Sequence, residues 1–592
     1  MAPELVREAP PPGHRVDRVF PVSRRQDRTF LVIVIGIAVL WWIPQRAGPI
    51  DLRSDGAVYY ILGTSLAEGH GYRLLNEPGD IRAVQYPPLL PLIVAVHQKA
   101  LATTDFVVVG KWLRAFYFCV SVALMAAVYR LARHFLPPWR AFLAGVICAL
   151  ALHIWYLAGV LYTEIPFALI AVGFVLCARR ADRRAFWVAT AALGAAAYLL
   201  RTAGIALLVG WVVEALMHRR VPGGPDDRAS LRPRVMEAAA RSVAALLPLI
   251  AWQAYIASVT ASPEYRHPAY AYQRAAYQYS NVTYLENISL VNPFAPERGH
   301  ITARGWVSRL TRNVRFILPS LGGALTAQHA FWDLAMRDLN RYVARDALPP
   351  WVALVPMTAI GLVVLAGALV MVRRGQYLVP LCCGAAAVMM CVTPWPEQFS
   401  RYFAPMIPFL SIMLMTALDA ATTTDANSPR RLAWTGRGLM VAVLTVVLAQ
   451  DAYVAWWTLR FNPARPVTYV DTAGRVTTGQ LLFYEAEAAA MDETLQEVRR
   501  RARPGDVVAS SMPHWAYLRT GLKSILPPLE ADSDRAQRLL DAVPIRFVVL
   551  DALQYPRISQ RYAAPVVEGH PDAWREIYQT RDGRARLYER LR

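Results

Sequence analysis

The sequence predicts a mainly α-helical, polytopic membrane protein with about eleven transmembrane helices, juxtamembrane helices on its outer face and a small C-terminal α/β domain. Apolar residues make up 55% of the 592 residues, and the mean hydropathy is +0.27. These residues are concentrated in runs that approach the roughly 17–25 residues needed to cross a bilayer. Only the last ~135 residues change to the mixed pattern of a folded aqueous domain.

The predicted transmembrane segments begin after a polar, proline-rich tail, residues 1–28, which lacks the features of a cleavable signal peptide. The run at 165–178 is short, and Arg201 interrupts the stretch 186–217. The apolar runs lie at residues 29–45, 108–129, 141–159, 165–178, 186–200, 203–217, 242–261, 350–372, 377–393, 403–418 and 438–457.

Arginine clusters in alternate loops predict the orientation of the chain. Cytoplasmic loops carry an excess of basic residues, so these loops and the N-terminus are expected inside. An odd number of spans then leaves residues 46–107, 262–349 and 458–592 outside. The arginines lie at positions 130, 133, 140, 179, 180, 183, 184, 219 to 241, 373, 374, 430, 431 and 437.

The charge balance does not indicate nucleic acid as a partner. The chain has 63 basic and 43 acidic residues, a net charge of +20. The bases are mostly arginines between apolar runs, whereas nucleic-acid binding needs a soluble basic face with aromatic platforms. The six cysteines lie inside apolar runs without metal-ligand or disulfide spacing, so they are interpreted as packing residues.

The outer segments show their own patterns. Residues 56–69 and 87–101 predict two helices that lie along the membrane. The tyrosine-rich stretch within loop 262–349 predicts either a roof over a cavity or an interfacial anchor. In the C-terminal domain, residues 492–502 and 533–543 predict helices and 505–510 and 545–550 predict strands. Asp582-Gly583 predicts the turn of a hairpin over 576–591.

Acids and arginines at the outer ends of the predicted helices are the candidates for chemistry, because the sequence lacks phosphate-binding glycine loops and the usual hydrolase motifs. Asp55 is either a helix N-cap or, if Ser54 caps that helix, a free carboxylate. Asp51 either supports the site or solvates a helix end. Glu164 lies in a short apolar loop, where contact with lipid is costly, which favours an inward-facing functional position.

Two arginines complete this set. Arg201 and Arg401 either extend to the interface or serve the site, and a pair between Arg401 and Glu397 is a further alternative. A carboxylate can take a proton from an acceptor hydroxyl. Guanidinium groups can hold the phosphate of a lipid-borne leaving group. The set is therefore typical of group transfer at a membrane surface, with positioning supplying much of the acceleration.

Several motifs, in this order, resemble those of the polytopic type-C (GT-C) glycosyltransferases. The closest pattern is the family 39-like bacterial branch, similar to protein O-mannosyltransferases and lipid A aminoarabinose transferases. The segment "RRRARPGDVVAS…YLRTGLKSILP" also resembles the outer C-terminal domain of many members. The motifs are "SDGAVYYILGTSLAEGHGY" (54–72), "AVQYPPLLPLI" (83–93), "LYTEIPFALI" (161–170) and "SRYFAPMIPFL" (400–410).

The resemblance implies an inverting glycosyltransferase in the bacterial cytoplasmic membrane, with its active site on the outer face. Its donor would be a polyprenyl-phosphate-linked sugar, and its acceptor the hydroxyl of a glycan, lipid or protein, with membrane lipids around it. Asp55 matches the catalytic aspartate of the family, and Glu164 matches its second acid. The residues expected to bind the substrate or the donor phosphate are Arg401, Arg201, Tyr59, Tyr86 and Tyr402.

One departure from the family concerns metals. Many relatives have an acid directly after the first aspartate, where this chain has Gly56. A site for Mg²⁺ or Mn²⁺ is therefore not favoured, and the residues left to support one are Asp51 and His70.

Two rival functions come from other classes. A flippase for a lipid-linked sugar predicts charges near the bilayer midplane and interrupted helices in two matching halves. A scaffold that displays the C-terminal domain leaves the acids of the first two outer loops unexplained. The charges of this chain lie instead at the outer helix ends, which favours the transferase.

Overall fold

The computed structural model describes residues 23–181, 183–217, 231–275, 278–341, 349–423 and 430–591. The predicted tail 1–28 lies mostly outside the described residues, and the first helix begins at Arg24. The helices are α1 (Arg24–Trp42), α2 (Asp55–Ala67), α3 (Leu89–Ala100), α4 (Phe106–Ala132), α5 (Pro138–Leu150), α6 (Leu152–Leu157), α7 (Glu164–Ala178), α8 (Arg184–Leu200), α9 (Ile205–Met217), α10 (Leu231–Thr260), α11 (Pro263–Arg266), α12 (Tyr284–Ser289), α13 (Ala303–Leu325), α14 (His329–Leu339), α15 (Leu354–Arg373), α16 (Leu378–Cys391), α17 (Phe399–Tyr402), α18 (Ile407–Thr422), α19 (Arg430–Phe461), α20 (Ala486–Arg501), α21 (Pro513–Thr520), α22 (Ser533–Asp541) and α23 (Ala564–Gly569).

The strands are short and lie mostly in the C-terminal part of the chain. They are β1 (Arg73–Leu74), β2 (Ile81–Arg82), β3 (Arg465–Val470), β4 (Val476–Leu481), β5 (Val507–Ala509), β6 (Lys523–Ile525), β7 (Ile545–Asp551), β8 (Trp574–Gln579) and β9 (Ala585–Arg590).

The helices form a multi-pass membrane protein. Six helical segments of the described chain are long and apolar enough to cross a bilayer: those containing α1, α4, α10, α15, α18 and α19. Shorter apolar helices, α5, α7, α8, α9 and α16, account for the remaining predicted runs. A single 3₁₀ turn after Arg201 separates α8 from α9, as the interrupted hydropathy predicted.

The predicted outer loop 262–349 contains more structure than a roof. Its helix α13 packs against α15 through glycines on both sides. A Cβ at Gly322 would lie 2.1 Å from the Met357 carbonyl oxygen, and one at Gly361 would lie 2.1 Å from that of Leu318. Small residues thus let the two backbones touch. The second half of α13 therefore belongs to the helical bundle.

Three segments that the sequence predicts on the outer face, called here the outer segments, meet at one end of the bundle. Arg53 of the first donates to the backbone oxygens of Leu482 and Phe483 in the third, at 3.2 and 3.3 Å. Arg73 of the first pairs with Glu264 of the second at 3.2 Å. Segments 46–107, 262–349 and 458–592 are therefore in contact with one another at this end of the bundle.

The two helices predicted to lie on the membrane differ. Helix α2 is buried along almost its whole length, because α3 and neighbouring segments cover the side that was expected to face lipid. Helix α3 keeps an exposed apolar side, with Leu92 44% and Val96 66% exposed. Of these two helices, α3 alone has the exposed apolar side of an interfacial helix.

The C-terminal domain is a five-stranded mixed sheet in the order β6-β5-β7-β9-β8. Strand β5 pairs in parallel with β6 and β7, and β7 to β9 to β8 are antiparallel. The predicted strands appear as β5 and β7, the predicted helices as α20 and α22, and the hairpin as β8–β9. The β3–β4 hairpin, which links α19 to this domain, was not predicted from the sequence.

Candidate active site

A cavity of about 1120 Å³ lies where the outer segments meet the helix ends. Its wall comes from α2, α7, α8, α10, α16 and α17, from the loop before α12, and from the C-terminal domain. Its apolar side includes Trp252 and Ile256 of α10 and Met389 of α16. A volume of this size exceeds what most small ligands fill.

Asp55 opens helix α2 and points into this cavity. Ser54 occupies the N-cap position with φ of 55°, and its side chain makes no capping hydrogen bond. The Asp55 carboxylate accepts a hydrogen bond from the Tyr86 hydroxyl at 3.3 Å and one from Arg401 Nη2, also at 3.3 Å. Its described partners are therefore side chains of the cavity rather than backbone N–H groups of its own helix, so it does not act as a helix cap.

Glu164 opens helix α7 and lies beside Asp55 in the same cavity. It is 1% exposed, and its Oε1 is 2.8 Å from Arg201 Nη1 and accepts from Arg401 Nε at 3.1 Å. Its Oε2 is buried with no hydrogen-bond partner among the described residues. Two guanidinium groups therefore converge on one acid from α7.

Arg401 connects the two acids. Its Nε contacts Glu164 and its Nη2 contacts Asp55, while its guanidinium lies 4.4 Å from the centre of the Tyr162 ring. Arg401 thus contacts Glu164 and Asp55, not Glu397 as in the predicted alternative. The Glu397 carboxylate accepts a hydrogen bond from the Tyr555 hydroxyl at 3.5 Å. The short helix α17 places Arg401 beneath the C-terminal domain and beside the acids.

The three candidate tyrosines all line the cavity. Tyr59 meets Tyr86 edge to face, with ring centres 5.3 Å apart. The guanidinium of Arg201 lies over the Tyr402 ring, with its Cζ atom 5.6 Å from the ring centre. Burial, with a further contribution from the Asp55 charge, raises the pKa of Tyr86 well above its ordinary value, so its hydroxyl stays protonated and can donate.

Asp51 and His70 lie apart from this cluster, and neither is among the described residues that line the cavity. Asp51 is 4% exposed, pairs with Arg53 at 2.6 Å and bridges to the backbone of Val160. His70 is exposed, with its nearest acid, Glu68, at 3.6 Å. Asp51 therefore anchors the loop instead of solvating a helix end.

The donor set does not fit a divalent cation between the two acids. The Arg401 guanidinium already joins Asp55 to Glu164, so a second positive charge there would be repelled. Across the described ranges, no group of three His, Cys, Asp or Glu side chains is placed to hold a metal ion.

Several residues that line the cavity were not predicted from the sequence. Burial raises the pKa of Glu77, which accepts from the Tyr270 hydroxyl at 2.6 Å. Burial lowers the pKa of His514 to about 3, so this side chain is neutral at pH 7. Tyr279 and Trp395 also line the cavity. For Tyr279, the abundance of tyrosine in loop 262–349 was a signal, and it predicted either a roof over a cavity or an interfacial anchor.

No protein-family model and no curated protein matches this chain. Its fold is similar to that of solved structures. One is the oligosaccharyltransferase of Archaeoglobus fulgidus tethered to an acceptor peptide, with 14% identity and a TM-score of 0.51 over 96% of this chain and 74% of that one. Another is ArnT from Cupriavidus metallidurans bound to undecaprenyl phosphate, with 14% identity and a TM-score of 0.50 over 95% and 98%. The chain thus has the GT-C fold of these glycosyltransferases, as its motifs predicted.

Proposed function

We propose that this protein transfers a sugar from a polyprenyl-phosphate-linked donor to an acceptor hydroxyl, on the outer face of the bacterial cytoplasmic membrane. The observation that carries the proposal is the Asp55 carboxylate, which faces a large cavity and is held there by Tyr86 and Arg401. The binding of undecaprenyl phosphate by ArnT, a protein of the same fold, supports a lipid carrier as donor.

In the proposed reaction, the acceptor oxygen forms a bond to the anomeric carbon while the bond from that carbon to the phosphate oxygen breaks. Asp55 takes the proton of the acceptor hydroxyl as general base, and polyprenyl phosphate leaves with the bonding electron pair. The attack comes from the side opposite the phosphate, so the configuration at the anomeric carbon inverts. No step requires a metal ion.

The two arginines neutralise the departing phosphate. Each guanidinium has five N–H donors, and the acids engage only some of them. A planar guanidinium can hold a phosphate through paired charge-assisted hydrogen bonds. Glu164 fixes the position of both arginines from its buried site, so it acts on the reaction through them.

The test measures transfer by the full chain purified in detergent. A panel of radiolabelled polyprenyl-phosphate hexoses and pentoses is incubated with cell-envelope acceptors, and release of polyprenyl phosphate is followed. Asp55→Asn keeps the shape of the side chain but loses the base, so the transfer rate should fall about 100- to 10,000-fold. Glu68→Gln, an exposed acid at the other end of α2, is the matched control and should react like the wild type.

Two outcomes would overturn the proposal. Transfer by Asp55→Asn at the wild-type rate would remove Asp55 as base. A wild-type chain that moves the labelled lipid across vesicle membranes without releasing its sugar would be a flippase instead.

A further inference from the structure

Four aromatic side chains form a continuous cluster on the wall of the cavity: Tyr279, Phe294, Trp395 and Tyr555, called here the aromatic cluster. The Tyr279 and Phe294 rings stack with centres 5.4 Å apart. Trp395 meets Tyr279 edge to face at 5.8 Å, and Tyr555 meets Phe294 likewise at 5.9 Å. Three outer parts of the protein contribute to it: loop 262–349, the turn after α16 and the C-terminal domain.

The cluster has features that packing alone does not require. The Tyr555 side chain is 52% exposed although its neighbours offer apolar surface. The indole N–H of Trp395 is buried without a hydrogen-bond partner among the described residues. Aromatic rings with a polar tip suit ligands that have both an apolar face and hydroxyl groups. A sugar ring is such a ligand, because its C–H bonds cover one face and its hydroxyls lie at the edge.

The C-terminal domain turns the carboxyl ends of strands β5 and β7 toward the same cavity. In the order β6-β5-β7, the chain runs from the central strand β5 to β6 on one side of it and then crosses to β7 on the other side. The direction of the strand order therefore reverses between β5 and β7. Ligands of open α/β sheets bind at the carboxyl ends of strands at such a switch point. There, Ser511 donates to Asp551 at 2.6 Å, and Ser511 and Leu553 line the cavity.

The charges near the cluster disfavour a phosphorylated ligand. Among the described lining residues the arginines are Arg201 and Arg401, and both already contact Glu164. Phosphate groups are held by arginine or lysine donors. The charged groups that contact Tyr555 and Ser511 are instead carboxylates, those of Glu397 and Asp551, and they would repel a phosphate.

We propose that the aromatic cluster and the adjoining β5–β7 edge form the acceptor subsite, and that the acceptor is a neutral glycan. The identification as an acceptor rests on the proposed function, whereas the binding of a glycan does not. The sugar ring stacks on Tyr555, and its hydroxyls reach the polar groups around Ser511.

The test is saturation-transfer NMR on the full chain in detergent, without donor lipid. The probes are mannobiose, arabinobiose and galactobiose, a phosphorylated disaccharide and a hexapeptide containing serine. We expect at least one neutral disaccharide to receive saturation and the other two kinds of probe to receive none. Tyr555→Ala should weaken that binding about fivefold, since it removes the stacking face.

Matched variants separate stacking from other effects. Tyr555→Phe keeps the ring and loses only the hydroxyl that reaches Glu397, so it should bind like the wild type. Tyr578→Ala removes a tyrosine on strand β8, away from the cavity lining, and should also bind normally. Asp55→Asn should bind the disaccharide and fail to transfer, which distinguishes the subsite from the reaction.

The proposal is overturned if no neutral disaccharide binds to the folded wild type, or if Tyr555→Ala binds it equally well. Binding of the phosphorylated disaccharide or the peptide alone would also overturn it. If the disaccharide binds but the wild type never releases polyprenyl phosphate, the subsite stands and the proposed function fails.

Discussion

Arg401 is the residue on which the site depends, because it contacts both Asp55 and Glu164. Lysine would keep the charge, but its single ammonium group lacks the planar fork of N–H donors with which a guanidinium contacts two carboxylates at once. For Arg401→Lys we expect kcat/KM for the donor to fall about 10- to 100-fold, as a bidentate phosphate contact is lost. The measurement is steady-state kinetics over donor concentration, beside a thermal unfolding curve.

Arg500→Lys provides the control, because this arginine of α20 is 69% exposed and its ion pair among the described residues is with Glu497 of the same helix. Its kinetics should match the wild type. If Arg401→Lys reacted at the wild-type rate, the guanidinium geometry would play no part in the transfer.

At the residue scale, the sequence could identify some of the residues that line the candidate site but not their arrangement. Asp55, Glu164, Arg201 and Arg401 stand out because charges at the ends of apolar helices are costly unless they face a protein interior. The sequence could not show that Asp51 lies apart from Asp55 and outside the cavity lining. Asp51 is taken up by Arg53, two residues on, and only the loop conformation reveals that pair.

Helix α2 carries Asp55 and is held by close packing on α3. A Cβ at Gly63 would lie 2.6 Å from Val94 Cγ1 and 2.9 Å from the Pro91 carbonyl oxygen. Gly63→Ala must therefore push the two helices apart, which should lower the free energy of unfolding by about 1–3 kcal/mol. Thermal unfolding in detergent measures this, and transfer activity should fall with it because Asp55, the proposed base, moves.

Gly384→Ala in α16 is the matched control, since its Cβ would meet nothing within 4 Å. Alanine is the better helix former, so this variant should melt at or above the wild-type temperature. If Gly63→Ala melted at the same temperature as the wild type, the close packing of α2 on α3 would not contribute to stability.

At the scale of elements, prediction succeeded where a pattern is local. The apolar runs, the two helices of the C-terminal domain and the turn at Asp582-Gly583 all depend on neighbours in sequence. The burial of α2, the packing of α13 on α15 and the parallel pairing of β5 with β7 do not. They depend on contacts between distant segments, which hydropathy and turn signals leave open.

At the scale of the whole molecule, the cavity exists because three outer segments close over the helix ends. Arg53 secures this closure, because it pairs with buried Asp51 and also donates to the carbonyl oxygens of Leu482 and Phe483. Those carbonyls lie directly after the β3–β4 hairpin that leads into the C-terminal domain. One side chain thus ties the loop before α2 to the domain that completes the proposed acceptor subsite.

Arg53→Ala should loosen the C-terminal domain from the membrane part. It leaves the Asp51 carboxylate buried without its partner, a change that costs about 3–5 kcal/mol in typical proteins. We expect faster hydrogen exchange across residues 465–485 and a lower transfer rate. Arg465→Ala, which removes an exposed arginine of strand β3 in the same hairpin, should change neither. Removing Asp51 together with Arg53 should restore part of the stability, because no buried charge is then left unpaired. Unchanged exchange in Arg53→Ala would mean that other contacts hold the domain in place.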